Sequence, residues 1–221
     1  MKSKNFTTLK LSLEICGVVM TKIKFCGLTR IEDIEFANEL LPDYVGFVFA
    51  EKSRRYVTVE QAAELKNILD KKISAVGVFV DEKIDIVVDI CRRGIIDAVQ
   101  LHGNEDENYI ANLREVTSKI IIKAFKVTRD EILKRAETCA ADYVLLDGGA
   151  GDGKVFDWQL LKNFKRKYFL AGGLNVDNVS DAVKILNPYA VDVSSGIETG
   201  GVKDFDKMRK FIRAVGRNLN D

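Results

Sequence analysis

Eight short β-rich runs alternate with amphipathic helical runs along this chain, and that regular alternation restricts its fold more than any other feature. The β-rich runs occupy residues 22–26, 44–49, 74–80, 98–101, 120–124, 143–147, 168–171 and 190–193. Several are nearly continuous apolar segments, which is typical of parallel strands covered by helices. The order predicts an α/β fold, and either a closed (β/α)8 barrel (TIM barrel) or an open doubly wound sheet would produce it.

The length favours one domain. Eight strand–helix units occupy most of the 221 residues, and one such barrel typically needs about 250. We expect a single (β/α)8 barrel over residues 21–221, preceded by a short extension, residues 1–20. The extension loosely resembles a signal peptide, but Glu14 interrupts its apolar stretch and no small-residue cleavage site is clear. We interpret it as a disordered segment or as an over-long gene start with Met20 as the true initiator.

Composition gives no reason to propose nucleic acid or a membrane surface as a partner, and the cysteine pattern fits a reducing compartment. Thirty-four basic and 33 acidic residues leave a formal charge of +1, without the basic arm or acidic tail that would suggest nucleic acid or membrane as a partner. The cysteines lack the spacing of a zinc site or a disulfide framework, which predicts no metal and a cytoplasmic location. We expect two of them, Cys91 and Cys139, to be buried thiols within helical patterns.

Two helix starts have the spacing of a capping box. Thr29 with Glu32, and Thr58 with Gln61, place a hydroxyl three residues before a long polar side chain. In that motif each side chain satisfies a free backbone amide at the helix start.

The ends of the first and sixth strands carry candidate acid–base groups, because active sites of such barrels lie where strands end and βα loops begin. Cys26 ends the first strand just before a helix, and a helix N-terminus or nearby cation lowers a thiol pKa from about 8.5. Asp147 ends the sixth strand after two leucines and before a glycine-rich stretch, residues 148–154. The structural alternatives are that the Cys26 thiol only packs against its neighbours and that the Asp147 carboxylate only caps a turn.

Paired small residues end the seventh and eighth strands. Gly172 and Gly173 follow one, and Ser195 and Gly196 follow the other. Phosphate sites in these barrels commonly use the loops after strands seven and eight, where backbone amides approach the anion closely.

Other polar residues lie at the ends of the second and fourth strands. Arg55 lies in a basic loop, and at a barrel mouth its guanidinium could bind a carboxylate with two hydrogen bonds. Gln100 and His102 lie at the end of the fourth strand. His102 is the only histidine and lacks a nucleophile-elbow motif, so we interpret it as a positioning or substrate-binding residue.

Taken in order, these runs resemble the phosphoribosylanthranilate isomerase family. The segments that carry the resemblance are KFCGLT (24–29), GFVF with SRRY (46–49, 53–56), VFV (78–80), VQLHG (99–103), LLD (145–147), GKVFDW (153–158), AGGLN (171–175) and VDVSSGIE (191–198). The likeness covers about residues 21–215 and falls at nearly every strand end. It favours the barrel over the open sheet.

The resemblance implies an Amadori rearrangement of N-(5-phosphoribosyl)anthranilate, a small phosphorylated substrate of tryptophan biosynthesis. It makes Cys26 the general base, Asp147 the general acid and Arg55 the group that holds the anthranilate carboxylate. Gly172, Gly173, Ser195 and Gly196 would fall in the phosphate-binding loops. No metal or organic cofactor is implied, because the iminium nitrogen of the intermediate is itself the electron sink. Asp147 must be protonated when it acts, so we expect its pKa to be raised by burial or by the substrate's charges.

The sequence leaves three alternatives open. The related aminoaldose isomerase of histidine biosynthesis would have aspartate where Cys26 stands and a half-barrel repeat. Indoleglycerol-phosphate synthase would need a catalytic lysine that is not evident. A degenerate barrel that only binds a phosphorylated metabolite would be expected to lack the acid or the base. The sequence does not choose between a monomer and a homodimer.

Overall fold

The computed structural model describes residues 20–149 and 158–217. Eight parallel strands close into a barrel in chain order. They are β1 Lys22–Cys26, β2 Tyr44–Val48, β3 Ser74–Phe79, β4 Ala98–Leu101, β5 Ile120–Lys126, β6 Tyr143–Asp147, β7 Tyr168–Ala171 and β8 Ala190–Val193. The first strand pairs with the last, Lys24 lying opposite Asp192. This closure confirms the TIM barrel and excludes the open sheet.

Helices surround the barrel. Those within the described ranges are α1 Ile31–Leu40, α2 Val59–Ile68, α3 Ile84–Arg92, α4 Glu107–Val116, α5 Asp130–Thr138, α6 Val179–Leu186 and α7 Phe205–Ala214. A 3-10 helix, Trp158–Leu161, precedes β7. A second, Ser195–Ile197, follows β8 and leads into the short antiparallel pair β9 Glu198–Thr199 and β10 Val202–Lys203.

The predicted strands all exist and begin at the predicted residues. Strands β2 and β3 end one residue earlier than predicted, and β5 continues two residues further, to Lys126. Most of the predicted extension (residues 1–19) and the greater part of the glycine-rich stretch (residues 150–154) lie outside the described residues.

The apolar core has two parts because strand residues point alternately inward and outward. Inward side chains such as Val76, Ile122 and Phe169 fill the barrel interior. Outward side chains such as Phe25 pack against the helices, where Phe25 meets Phe211 of α7 edge to face. Cys91 and Cys139 are buried free thiols, as predicted, whereas Cys16 lies outside the described residues.

One of the two predicted capping boxes is wrong. Helix α1 begins at Ile31, and the side chain that caps its start is Asp33, which accepts the N–H groups of Thr29 and Arg30 at 2.9 and 3.2 Å. The helix begins two residues after Thr29, so its third position is not Glu32. The other box is confirmed: Thr58 and Gln61 exchange hydrogen bonds of 2.9 and 3.1 Å at the start of α2.

Across the described ranges, no helix has both the length and the apolar character required to cross a bilayer.

Candidate active site

Inward residues at the carboxyl end of the strands surround a cavity of about 380 Å³ at the mouth of the barrel. Its lining includes Cys26, Arg55, Gln100, His102, Asp147, Gly172, Gly173 and Ser195. The structure therefore brings together eight of the nine residues singled out from the sequence. Gly196 is not part of this lining. Gly196 lies behind the lining, where a Cβ would approach the carbonyl oxygen of Leu174 to 2.0 Å. Only glycine therefore fits between the loops that follow β7 and β8.

Cys26 is partly exposed to the cavity and lies beside a buried ion pair. The ammonium group of Lys24 is 3.0 Å from a carboxylate oxygen of Asp192 and also interacts with the Cys26 sulfur. Burial raises the pKa of the Cys26 thiol, and the charge of Lys24 opposes this only in part. The expectation of a lowered thiol pKa is therefore wrong for the free protein, because desolvation outweighs the nearby cation.

Asp147 lies on β6 across the same cavity. Its Oδ1 accepts the backbone N–H of Gly149 at 2.8 Å, and its Oδ2 is 3.6 Å from Nε2 of His102. Burial acts to raise the pKa of Asp147, but the contacts with His102 and Gly149 outweigh it, and the pKa lies below its ordinary value. Of the two causes that were expected to raise this pKa, burial is therefore outweighed in the free protein, and the charges of the substrate are the other.

His102 is oriented by Gln100, its neighbour on the inner face of the barrel. The amide nitrogen of Gln100 is 3.0 Å from Nδ1 of His102. An amide nitrogen can only donate, so Nδ1 accepts and the ring proton lies on Nε2, facing Asp147. His102 therefore presents its Nε2 to the carboxylate of Asp147.

Arg55 is held by a carboxylate of the protein itself. Its Nε and Nη2 donate to the two oxygens of Glu198 at 2.7 and 2.9 Å. The same carboxylate accepts from Lys203 at 2.7 Å and from Arg54 at 3.1 Å. Burial acts to raise the pKa of Glu198, but Arg55 and Lys203 lower it below its ordinary value, so Glu198 stays ionised.

The loops after β7 and β8 form another side of the cavity. Gly172 and Gly173 have φ angles of +98° and +68°, in the region that favours glycine. A Cβ on Gly172 would also lie 2.5 Å from the backbone nitrogen of Gly148, next to Asp147. The two glycines thus let the β7 loop pass close to the end of β6, and Ser195 approaches from the β8 loop.

Several charged residues of this site were not singled out from the sequence. They are Lys24, Asp192, Glu198 and Lys203, all buried. The sequence did mark Lys24 and Asp192, because each is a charged residue inside an otherwise apolar strand, and such a residue is buried only where the fold gives it a partner. Nothing in the sequence showed that these partners would come from strands and loops far apart along the chain.

Among the described residues, no three His, Cys, Asp or Glu side chains are grouped as metal ligands. The arrangement is instead that of a (β/α)8-barrel enzyme with a thiol and a carboxyl group facing one cavity and glycine-rich loops at its rim.

Comparison with known proteins agrees with this class. Residues 23–214 match the family model of N-(5'-phosphoribosyl)anthranilate isomerase. The isomerase of Endomicrobium trichonymphae is 49% identical over 201 residues, which cover 89% of this chain and 98% of that protein. The crystal structure of the Thermotoga maritima isomerase is 38% identical, with a TM-score of 0.81 and coverage of 89% and 98%. A structure of the isomerase with reduced 1-(o-carboxyphenylamino)-1-deoxyribulose 5-phosphate is 37% identical, with a TM-score of 0.80 and the same coverage.

The chain belongs to the N-(5'-phosphoribosyl)anthranilate isomerase family. It is an intramolecular oxidoreductase of tryptophan biosynthesis that converts N-(5'-phosphoribosyl)anthranilate to 1-(2-carboxyphenylamino)-1-deoxyribulose 5-phosphate.

Proposed function

We propose that Cys26 and Asp147 carry out this isomerisation as general base and general acid. The observation that carries the proposal is that the thiol of β1 and the carboxyl group of β6 line one cavity. Two groups on separate strands can approach different atoms of one sugar, and acid–base catalysis requires each to reach its own proton.

The reaction divides into two proton transfers. Asp147 donates a proton to the ring oxygen of the ribose, the bond between C1 and that oxygen breaks, and the nitrogen lone pair forms the protonated Schiff base. The Cys26 thiolate then removes the proton from C2, and the C2–H electron pair moves toward the iminium nitrogen to give an enolamine. Tautomerisation of the enolamine yields the aminoketone, with no net gain or loss of protons.

Arg55 binds the anthranilate carboxylate in this proposal. A guanidinium group has five N–H donors, and the two bonds to Glu198 use two of them. Glu198 fixes the plane of the group, so the remaining donors are presented in one orientation. Gln100 and His102 lie on the floor of the cavity and would contact the ribose.

The substrate phosphate binds at the loops after β7 and β8, in contact with Gly172, Gly173 and Ser195. Support comes from the positive φ angles of the two glycines and from the place of these loops at the cavity rim. Barrels of this kind commonly bind phosphate there through backbone amides. Gly196 supports the site indirectly, by allowing the β8 loop to lie against Leu174.

We further propose a cytoplasmic enzyme whose working unit is the barrel beginning at residue 21. The three described cysteines are free thiols, as a reducing compartment would keep them. The chain would act as a monomer or a homodimer, and the Thermotoga maritima relative is described as dimeric. Sedimentation of the purified chain distinguishes the two states.

The test compares wild type with Cys26→Ser and Asp147→Asn. Phosphoribosylanthranilate is generated in situ by an auxiliary transferase, and loss of its fluorescence is followed with spontaneous hydrolysis subtracted. Each variant should lose about 10²- to 10⁴-fold in kcat, the usual contribution of one acid or base. Cys91→Ser and Asp142→Asn serve as controls that replace the same residue types outside the cavity, and both should retain kcat within about twofold.

Full activity of either active-site variant would refute its assigned role. A folded wild type that binds the reduced product analogue without turnover would support a binding protein instead.

A further inference from the structure

The floor of the cavity contains an ion pair that the proposed chemistry does not yet use. Lys24 lies in the middle of β1, two residues before Cys26, and points into the barrel with its side chain fully buried. Its partner Asp192 lies on β8, in register with it across the strand pair that closes the barrel. The two charged atoms are 3.0 Å apart.

The surrounding strand leaves space for the ammonium group and the Cys26 sulfur to lie side by side. Gly46 of β2 is paired with Cys26. A Cβ at Gly46 would be 2.8 Å from the sulfur and 3.1 Å from Nζ of Lys24. The sulfur and the ammonium nitrogen therefore lie against the same glycine, and any larger residue would displace one of them.

A buried ion pair is a weak means of stabilising a protein, since desolvation of two charges offsets their attraction. Hydrophobic residues would fill the same space at no such cost. The position of the pair directly below a partly exposed thiol suggests that its charge acts on that thiol.

We propose that Lys24 is a positioning residue whose ammonium group, held by Asp192, increases the fraction of Cys26 that is thiolate at the mouth of the barrel. This inference rests on the proposed role of Cys26 as the base. Asp192 and the backbone fix the ammonium group in the low-dielectric interior, where a charge acts strongly on its neighbours. When the thiolate takes the substrate proton, Lys24 keeps its own proton and only the charge of the sulfur changes.

The charges around Cys26 agree with this role. The charge of Lys24 lowers the pKa of the thiol against the effect of burial, while Asp192 raises it. Lys203, from β10, also lowers it, and Arg55 lies nearby with its charge paired to Glu198. Burial acts to lower the pKa of Lys24, but Asp192 and Cys26 raise it above its ordinary value, so Lys24 stays protonated.

The experiment measures the thiol directly rather than through catalysis. Iodoacetamide reacts with the thiolate, and mass spectrometry of the peptide that contains Cys26 gives the alkylation rate as a function of pH. The variants are Lys24→Met and the double variant Lys24→Met with Asp192→Asn, which removes both buried charges and so avoids an unpaired carboxylate. Lys123→Met is the matched control, because Lys123 forms another buried pair, 2.8 Å from Glu105.

In Lys24→Met, alkylation of Cys26 near neutral pH should fall by about tenfold or more, which corresponds to one pKa unit. In the double variant the rate should also fall, but by less, because the charge of Asp192 that opposes the thiolate is removed as well. The rate at high pH, where all sulfur is thiolate, should stay within about twofold of wild type. Lys123→Met should leave the alkylation profile unchanged. An unchanged profile in folded Lys24→Met would overturn the inference, and if that variant did not fold, an unchanged profile in the double variant would do so.

The same measurement separates this inference from the proposal it rests on. If Cys26→Ser retained full activity, Cys26 would not be the base. A lower alkylation rate in the Lys24 variants would then still show that Lys24 favours the thiolate of Cys26, but that this thiolate has no part in the reaction. In that case the inferred role of Lys24 in catalysis would fail together with the base.

Discussion

At the scale of single residues, the free protein holds its proposed acid and base in the states opposite to those that catalysis needs. The pKa of Asp147 lies below its ordinary value, so the group is ionised at neutral pH. The pKa of Cys26 lies above its ordinary value, so the group is mostly a thiol. The active form, a protonated carboxyl with a thiolate, is a minor population.

This arrangement predicts a flat pH dependence. Between the two pKa values, raising the pH increases the thiolate fraction tenfold per unit and decreases the protonated Asp147 fraction by the same factor. Their product is therefore constant. Since kcat/KM reports protonation in the free enzyme, it should be level from about pH 6 to about pH 9. It should fall only below the pKa of Asp147 and above that of Cys26.

A stopped assay across that range, corrected for spontaneous hydrolysis of the substrate, tests this. A bell-shaped kcat/KM profile with both limbs inside the range would show that the two groups titrate near neutrality in the free enzyme. The opposite shifts of the Asp147 and Cys26 pKa values would then be wrong.

The sequence identified these two residues but not the direction of either shift. Cys26 and Asp147 are visible as polar residues at strand ends next to glycines. The shifts depend on His102, on the N–H of Gly149 and on the depth of the thiol, which only the folded barrel defines. For Asp147, the remaining cause of a raised pKa is the charge of the bound substrate, since its phosphate and carboxylate would favour the protonated form.

At the scale of elements, helix α2 illustrates what a local motif can determine. Its start at Thr58 was predictable because both partners of the capping box lie within four residues. The start of α1 was not predictable in the same way, because two carboxylates, Glu32 and Asp33, stand one residue apart. The one that accepts the backbone N–H groups before the helix is Asp33. Strand bounds were predicted to within two residues since burial and turn residues agree at each end.

Thr58→Ala should destabilise the protein by about 1 kcal/mol, because the N–H of Gln61 loses its side-chain acceptor. For a chain of this size that corresponds to a fall of about 2–4 °C in Tm. Thr58→Ser keeps the hydroxyl and should stay close to wild type. Thermal unfolding followed by circular dichroism measures both, and equal Tm values for the two variants would show that the cap contributes nothing.

At the scale of the whole molecule, one contact is repeated around the end of the barrel opposite the cavity. Asp43, Asp97 and Asp142 each stand one residue before an even-numbered strand. Each accepts the backbone N–H of the second residue of the preceding strand, at 2.8, 2.8 and 2.7 Å respectively. The sequence reads Asp-x-Val at all three positions, but the same pattern also begins at Asp85, Asp177 and Asp181, so it marks the contact only together with the start of a strand.

Each of these carboxylates also binds a basic side chain from the helical layer. Asp43 binds Arg217, which follows α7. Asp97 binds Lys66 of α2 at 2.5 Å, and Asp142 binds Arg114 of α4. Each contact therefore joins a strand pair of the barrel to the helices outside it. Before β8 the position is Tyr189, whose carbonyl oxygen accepts the N–H of Lys22 at 2.9 Å where the chain closes on itself.

The repetition predicts stability effects that add. Asp43→Ala, Asp97→Ala and Asp142→Ala should each reduce the free energy of unfolding by about 1–3 kcal/mol, because each leaves a strand N–H without its acceptor. Asp43→Ala should reduce the free energy of unfolding most, because the Asp43 side chain is the least exposed of the three, at 23%. The matching Asn variants keep an oxygen acceptor and lose only a partly exposed ion pair, so they should cost about 1 kcal/mol or less.

Because the three sites belong to different strand pairs, double variants should show the sum of the single effects in urea unfolding. Their kcat/KM should stay unchanged, because the substitutions lie at the end of the barrel opposite the cavity. Strong non-additivity would mean that the three contacts form one cooperative ring, and a loss of kcat/KM would mean that this end of the barrel controls the geometry of the cavity.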